Sequence, residues 1–304
     1  MSLLVVGSVA YDGIITPHGK CDRVLGGAGT YVSLSASFFT DVSLVGVVGE
    51  DFAPADEAVL KEHDIDLRGL ERAKGKTFYW AGEYSENMNE RTTHVTELNV
   101  FETFDPKVPE FYRDAQYLFL ANIHPTLQRR VYKQISAPRF VGGDTMNFWI
   151  EGTLSELRET IKDWDFILIN DGEARQLSGE YNLRRAAKAI QAMGPKTVVI
   201  KRGEYGAILF RPEGYFVAPG FLLESVFDPT GAGDCFAGGF MGYLAAQGVT
   251  DLGQATHPQL RKAMIYGSVM GSFCCQQFGV GQLREIDRAD IEERFGEFRR
   301  FTEF

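Results

Sequence analysis

The residues best placed to do chemistry lie in Phe227-Asp228-Pro229-Thr230-Gly231-Ala232-Gly233-Asp234-Cys235-Phe236. A small-residue turn, Gly231-Ala232-Gly233, opens directly into a helical pattern, so its backbone N–H groups lack carbonyl partners and converge where the helix dipole adds partial positive charge. That arrangement is an anion hole. Asp234 falls in the first helical turn beside it, where a carboxylate can take a proton from an incoming hydroxyl. A base next to an anion hole points to phosphoryl transfer. The plainer alternative, a tight glycine turn followed by an ordinary first-turn acid, stays open at this point.

A second acid, Asp12, is expected at the C-terminal end of the first strand, the edge where open parallel sheets bind ligands. Its carboxylate can accept two bonds from neighbouring hydroxyls, which suits a polyol. Gly26-Gly27 brings backbone close to such a ligand because no side chain intervenes. Competing motifs are weaker. Gly69 with Gly75-Lys76-Thr77 has five intervening residues where a P-loop needs four, and a β-prone run follows it. Gly27-Ala28-Gly29 starts a dinucleotide fingerprint that Val32 breaks. His18, His63, His94, His124 and His257 have no zinc-site spacing. Phe273-Cys274-Cys275 reads as core, and Cys21, Cys235, Cys274 and Cys275 show no CxxC spacing, which suits a reducing compartment.

Lys and Arg number 31 against 41 Asp and Glu, a net charge of −10, the wrong sign for a chain held by nucleic-acid phosphates. The start has no signal-peptide pattern and no run of about 18 apolar residues follows, so the expectation is a cytoplasmic protein with no membrane partner. Across the 304 residues, short apolar runs alternate with helical patterns, the signature of βαβ units around a parallel sheet. Strands are expected at 3–6, 43–48, 117–121, 140–144, 166–170 and 197–201, and helices near 29–39, 53–62, 154–162, 183–193 and 232–246. Residues 76–101 break the rhythm with aromatic and threonine-rich sequence. They are expected to form a few antiparallel strands outside the main sheet, or else a long surface meander of that sheet.

Asp-x-Thr-Gly-Ala-Gly-Asp followed by a small-residue helix resembles the C-terminal signature of the ribokinase-like (PfkB) carbohydrate and nucleoside kinases. Five further matches follow in family order: Gly7 to Asp12, Gly26-Gly27, Gly49-Glu50-Asp51-Phe52, Asn170-Asp171-Gly172-Glu173 and Gly203-Glu204-Tyr205-Gly206. The resemblance implies a three-layer α/β/α fold with a mostly parallel central sheet and a small β lid. The main domain is expected over 1–12, 25–73 and 104–304, and the lid over 13–24 and 74–103. It implies an ATP-dependent kinase of a sugar or sugar-like polyol, with a nucleoside as the alternative acceptor. Asp234 is then the catalytic base, and Gly231, Ala232 and Gly233 the anion hole. Asp12, Gly26, Gly27 and Tyr31 contact the acceptor, and Lys201, Gly203, Gly206 and Thr230 the nucleotide. Asn170 and Glu173 help hold hydrated Mg²⁺, although the same pair also reads as a helix cap with a Glu at N3. Asp228 and Thr230 resemble a K⁺ loop, with further carbonyls from 271–281.

Two positions depart from the family pattern. Tyr31 stands where an Asn commonly bonds the sugar, and is read either as a ring for stacking a base or as core filling. Asp144-Thr145-Met146-Asn147 stands where the family more often has Asp-x-Asn. The lid is expected to close over the substrate and exclude water. By resemblance it also pairs lids in a homodimer, burying Phe78, Trp80 and Tyr84.

Overall fold

Leu3, Leu4, Val5 and Val6 are all fully buried. Successive strand residues point to opposite faces, so the strand they form must be covered on both sides. The computed structural model, which describes residues 2–303, shows how. In chain order β1 (Ser2–Val6) precedes the hairpin β2 (Ala10–Thr16) and β3 (Gly19–Gly26), then α1 (Ala28–Ser37), β4 (Asp41–Val48), α2 (Pro54–Glu62) and β5 (Asp66–Arg72). Next come β6 (Phe78–Tyr84), β7 (Arg91–Glu97), β8 (Tyr117–Leu120), α3 (Pro125–Tyr132), β9 (Phe140–Asp144), α4 (Asn147–Gly152), α5 (Leu154–Ile161) and β10 (Phe166–Asn170). The remainder runs α6 (Asp171–Ser178), α7 (Leu183–Gln191), β11 (Thr197–Lys201), β12 (Ala207–Arg211), β13 (Gly214–Ala218), α8 (Ala232–Ala246), α9 (His257–Cys274), α10 (Gly281–Glu285) and α11 (Arg288–Thr302).

Nine strands form the central sheet in the order β13-β12-β11-β10-β9-β8-β1-β4-β5. Every pairing from β11 to β5 is parallel, and only β12 and β13 run against their neighbours. Leu3, Val5, Phe166, Leu168 and Val199 pack with α1, α2, α8, α9 and α11. Leu4, Val6, Ile167, Ile169, Val198 and Ile200 pack with α3, α5, α6 and α7. The expected three layers are therefore present, each apolar run feeding both cores. Phe273 and Cys274 lie buried in the first of these cores, as core residues should. Among the described residues no helix is long and apolar enough to cross a membrane.

A second sheet, β3-β2-β6-β7, stands apart from the first, so residues 76–101 are not a meander of the main sheet. One expectation is corrected here. Asp12 lies inside β2 of this smaller sheet, not at the end of β1, because the chain leaves β1 at Val6 and crosses to the lid through residues 7–9. Gly75-Lys76-Thr77 also proves to be hinge rather than phosphate loop. The Asp51 carboxylate accepts from Thr77 N at 2.7 Å and Thr77 Oγ1 at 2.8 Å, and Arg23 on β3 pairs with Asp51 at 2.8 Å. The 49–52 turn thus ties both crossings of the lid to the main sheet.

Candidate active site

The carboxyl ends of β9, β10 and β11 bring Asp144, Asn170 and Lys201 to one edge of the central sheet, facing the start of α8. That start is fixed by close packing. A Cβ on Gly238 would lie 2.5 Å from the Val32 carbonyl of α1, and one on Gly239 would lie 2.6 Å from the Tyr266 carbonyl of α9, so only small residues let the three helices meet. Ser35 Oγ also donates to the Cys235 carbonyl at 2.6 Å. Gly231 caps the helix at φ 77°, a left-handed conformation that glycine adopts without strain.

Ala232 N donates to the Pro229 carbonyl at 3.1 Å, closing the turn, so this N–H is not part of the hole as expected. The N–H groups of Gly231, Gly233 and Asp234 have no partner among the described residues and make up the donor set. Lys201 Nζ joins them, since a Cβ on Gly233 would sit 2.7 Å from it. Of the two readings of Tyr31 the core one describes its ring, which packs beneath Gly231 and is 1% exposed because its place on α1 faces α8.

Asp234 is half-buried beside Asp144, the first residue of the segment that stands in place of the family's Asp-x-Asn. Burial raises the Asp234 carboxyl above the ordinary carboxylate range, while the Lys201 ammonium, a hydrogen bond with Asp144 and the Arg91 guanidinium pull it back. Glu173 is raised by burial and lowered by Lys201. Glu173 Oε2 accepts from Asn170 N at 2.9 Å, and Asn170 Oδ1 accepts from Glu173 N at 2.8 Å, so the capping box is real.

The lid supplies the opposite wall. Asp12, Trp80, Tyr84 and Arg91 share one face of its sheet, by the pairing of Asp12 with Trp80 and of Tyr84 with Arg91. That face looks at the cleft: Tyr84 OH accepts from Thr230 Oγ1 at 3.2 Å, and Arg91, stacked 5.0 Å from the Trp80 ring, acts on Asp12, Asp234 and Glu173. Trp80 and Tyr84 are therefore turned inward, and Phe78 stacks on Phe101, so these rings do not form the outward dimer face expected of them. Thr230 meets the lid rather than open space for a nucleotide. Gly203 and Gly206 form a tight turn at φ 56° and 79°, and Asn89 of the lid loop donates to Glu204 in that turn at 3.1 Å. Arg91 carries no sequence motif; its position at the start of an edge strand is the one signal available.

Gly26 and Gly27 wrap Asp12. A Cβ on Gly26 would overlap the Asp12 carboxylate, and Gly27 N–H faces it. Burial, with Asp228 and Asp234 nearby, pushes Asp12 up from 3.8 to about 8. Between those values the folded chain holds a proton that the unfolded chain has lost, so Asp12 lowers stability as pH rises from 4 to 8. Asp12→Asn should gain over wild type by up to about 1.4 kcal/mol per pH unit in that window while weakening acceptor binding. Denaturant melts at pH 5 and 8 check this; a constant difference assigns Asp12 no such shift.

Among the described residues no cluster of three or more His, Cys, Asp or Glu is arranged to hold a metal. Glu173 Oε1 is outside the capping bonds, so Asn170 and Glu173 fit the one or two oxygen contacts that a hydrated Mg²⁺ needs. Asp228 differs: Oδ1 accepts from Thr230 N and Oδ2 from Gly279 N, both at 2.8 Å, clasping two loops. The expected K⁺ contact thus finds no unpartnered carboxylate oxygen there.

The sequence profile of the pfkB family carbohydrate kinases matches residues 2–286. The chain is 30% identical over 247 residues to a cytidine kinase of Thermococcus kodakarensis, covering 79% of this chain and 87% of that one. It is 25% identical over 278 residues to an ATP-dependent ribose-1-phosphate kinase of Halopiger xanaduensis, covering 89% and 87%. Its fold matches a nucleoside kinase of Methanocaldococcus jannaschii with a TM-score of 0.76 at 18% identity, over 97% of this chain and 98% of that one.

Proposed function

Because the chain belongs to the PfkB family of carbohydrate kinases, we propose that it phosphorylates a ribose hydroxyl of a nucleoside, with Asp234 as general base. The broader activity is that of an ATP-dependent phosphotransferase acting on a sugar or nucleoside. One observation carries the finer reading: Asp12, buried on the lid sheet, and Asp234, half-buried in the first turn of α8, face one cleft at the unpaired N–H groups of that helix. The first suits neighbouring ribose hydroxyls and the second suits the hydroxyl that reacts. Trp80, beside Asp12 on the same lid face, supplies a ring surface for a base.

In this reading the acceptor oxygen attacks the γ-phosphorus of ATP, the bond to the β,γ-bridging oxygen breaks, ADP leaves, and Asp234 keeps the hydroxyl proton. The N–H groups of Gly231, Gly233 and Asp234, with Lys201, bind the charge spread over the transferring group. Mg²⁺, when bound near Asn170 and Glu173, neutralises charge on the polyphosphate. The Tyr84–Thr230 and Asn89–Glu204 bonds hold the lid down, which keeps water from competing as acceptor. A homodimer through the lids would use the opposite face, where Tyr79 and Ala81 stand.

A coupled ADP-release screen over cytidine, inosine, adenosine, ribose, ribose 1-phosphate and hexoses should give the highest kcat/KM with a nucleoside. A free sugar at the top overturns that assignment. A second reading, an acceptor bearing its own phosphate, draws on Arg91, a cleft cation without an ion pair among the described residues, and on the ribose-1-phosphate kinase relative. In that case Arg91→Ala should raise KM for ribose 1-phosphate by about 10–100-fold and spare nucleosides, since the charge-assisted bond is lost for one acceptor only. Equal losses on both would remove this role.

A further inference from the structure

Asp144 ends β9 and is 4% exposed. Its backbone is pinned: Gln128 Nε2 donates at 3.1 Å to the carbonyls of Asp144, Leu120 and Ala121, locking the ends of β9 and β8 together. The side chain is in hydrogen-bonding contact with the Asp234 carboxyl, and its Oδ1 finds no donor among the described residues. Two carboxyls in contact, one buried and one half-buried, disfavour double ionisation, and a single proton between them relieves the repulsion. Asp234 is the better site for the negative charge. It lies in the first turn of α8, where unpaired N–H groups and the helix dipole favour an anion. Asp144 lies at a strand end with no such donors.

We infer that Asp144 is a positioning residue for the base: its protonated carboxyl donates a hydrogen bond to Asp234 and leaves the second Asp234 oxygen aimed at the acceptor hydroxyl. The inference rests on the reading of Asp234 as base. Burial holds Asp144 well above the ordinary carboxylate range, which agrees with its carrying the shared proton. The other charged groups facing the pair are Lys201 on β11, Glu173 on α6, Arg91 on β7 and Asp12 on β2. Lys201 lowers both acids, whereas Arg91 lowers Asp234, which keeps the charge on Asp234.

The test compares D144N, D144A and D234A with the best acceptor from the screen. An amide can replace the hydroxyl as donor, whereas alanine cannot. D144A should lower kcat by about 10–100-fold through misdirection of the base, with both KM values within about threefold. Its acidic limb in the kcat profile should move to higher pH, because Asp234 loses a bond that favours its charged form. D144N should restore both the rate and the limb. Infrared difference spectra of wild type minus D144N at neutral pH should show a carboxylic-acid C=O stretch, a readout that holds even where D144A fails to fold. Equal damage in D144N and D144A, a raised Mg²⁺ requirement in D144N, or no acid band would overturn the inference. An active D234A would instead overturn the base assignment itself, and so separates the two failures.

Discussion

Asp234→Asn and Asp234→Ala should lower kcat by about 10²–10⁴-fold, the range expected for loss of a general base, with little change in ATP affinity. The side chain is half-buried at the start of α8, beside the unpaired N–H groups of Gly231 and Gly233. Its work is confined to the step in which the hydroxyl loses its proton. Asparagine keeps the shape and the contact with Asp144 but cannot take that proton, so the two variants should be similarly impaired. Steady-state rates with ATP and acceptor both saturating, paired with nucleotide binding by calorimetry, check this. An Asn variant within tenfold of wild type would show that positioning and charge neutralisation alone drive the reaction.

Lys201→Met should lower kcat by about 10²–10³-fold, the size seen when one donor to a developing charge is removed from a water-excluded site. It should also change the pH profile. The Lys201 ammonium holds down Asp234, Asp144 and Glu173, all of which burial raises. Asp234 must be ionised to act, so activity is lost as pH falls through its titration. Removing the ammonium raises that titration, and the acidic limb of kcat/KM should move to higher pH. A simple loss of rate with an unmoved limb would place the ammonium on the nucleotide alone and away from the base.

Both predictions concern groups within one turn of backbone of residues that the sequence already marks. The turn 231–233 and the helix 232–246 are legible because glycine, small residues and an acid in sequence encode a helix start locally, and α8 begins where they say. The runs at 166–170 and 197–201 are legible because two-faced burial demands unbroken apolar sequence, and β10 and β11 have those bounds. The Asn170–Glu173 box is legible because a cap and its N3 partner are three residues apart. The lid was recognisable as a break in rhythm, but its membership was not. Asp12 joined it because the crossing from β1 spans only residues 7–9, which no periodicity reveals.

From its order of residues alone this chain specifies a layered α/β architecture, a helix start built for an anion, and an acid beside it. Tertiary structure alone decides that Asp144 touches Asp234, that Lys201 reaches Gly233, that Arg91 enters from the lid and that Tyr31 is sealed beneath Gly231. The reason is physical. Turns, caps and strand burial depend on neighbours a few residues away, whereas these contacts join residues about 30 to 200 positions apart and depend on the order in which strands assemble and the distance at which helices pack.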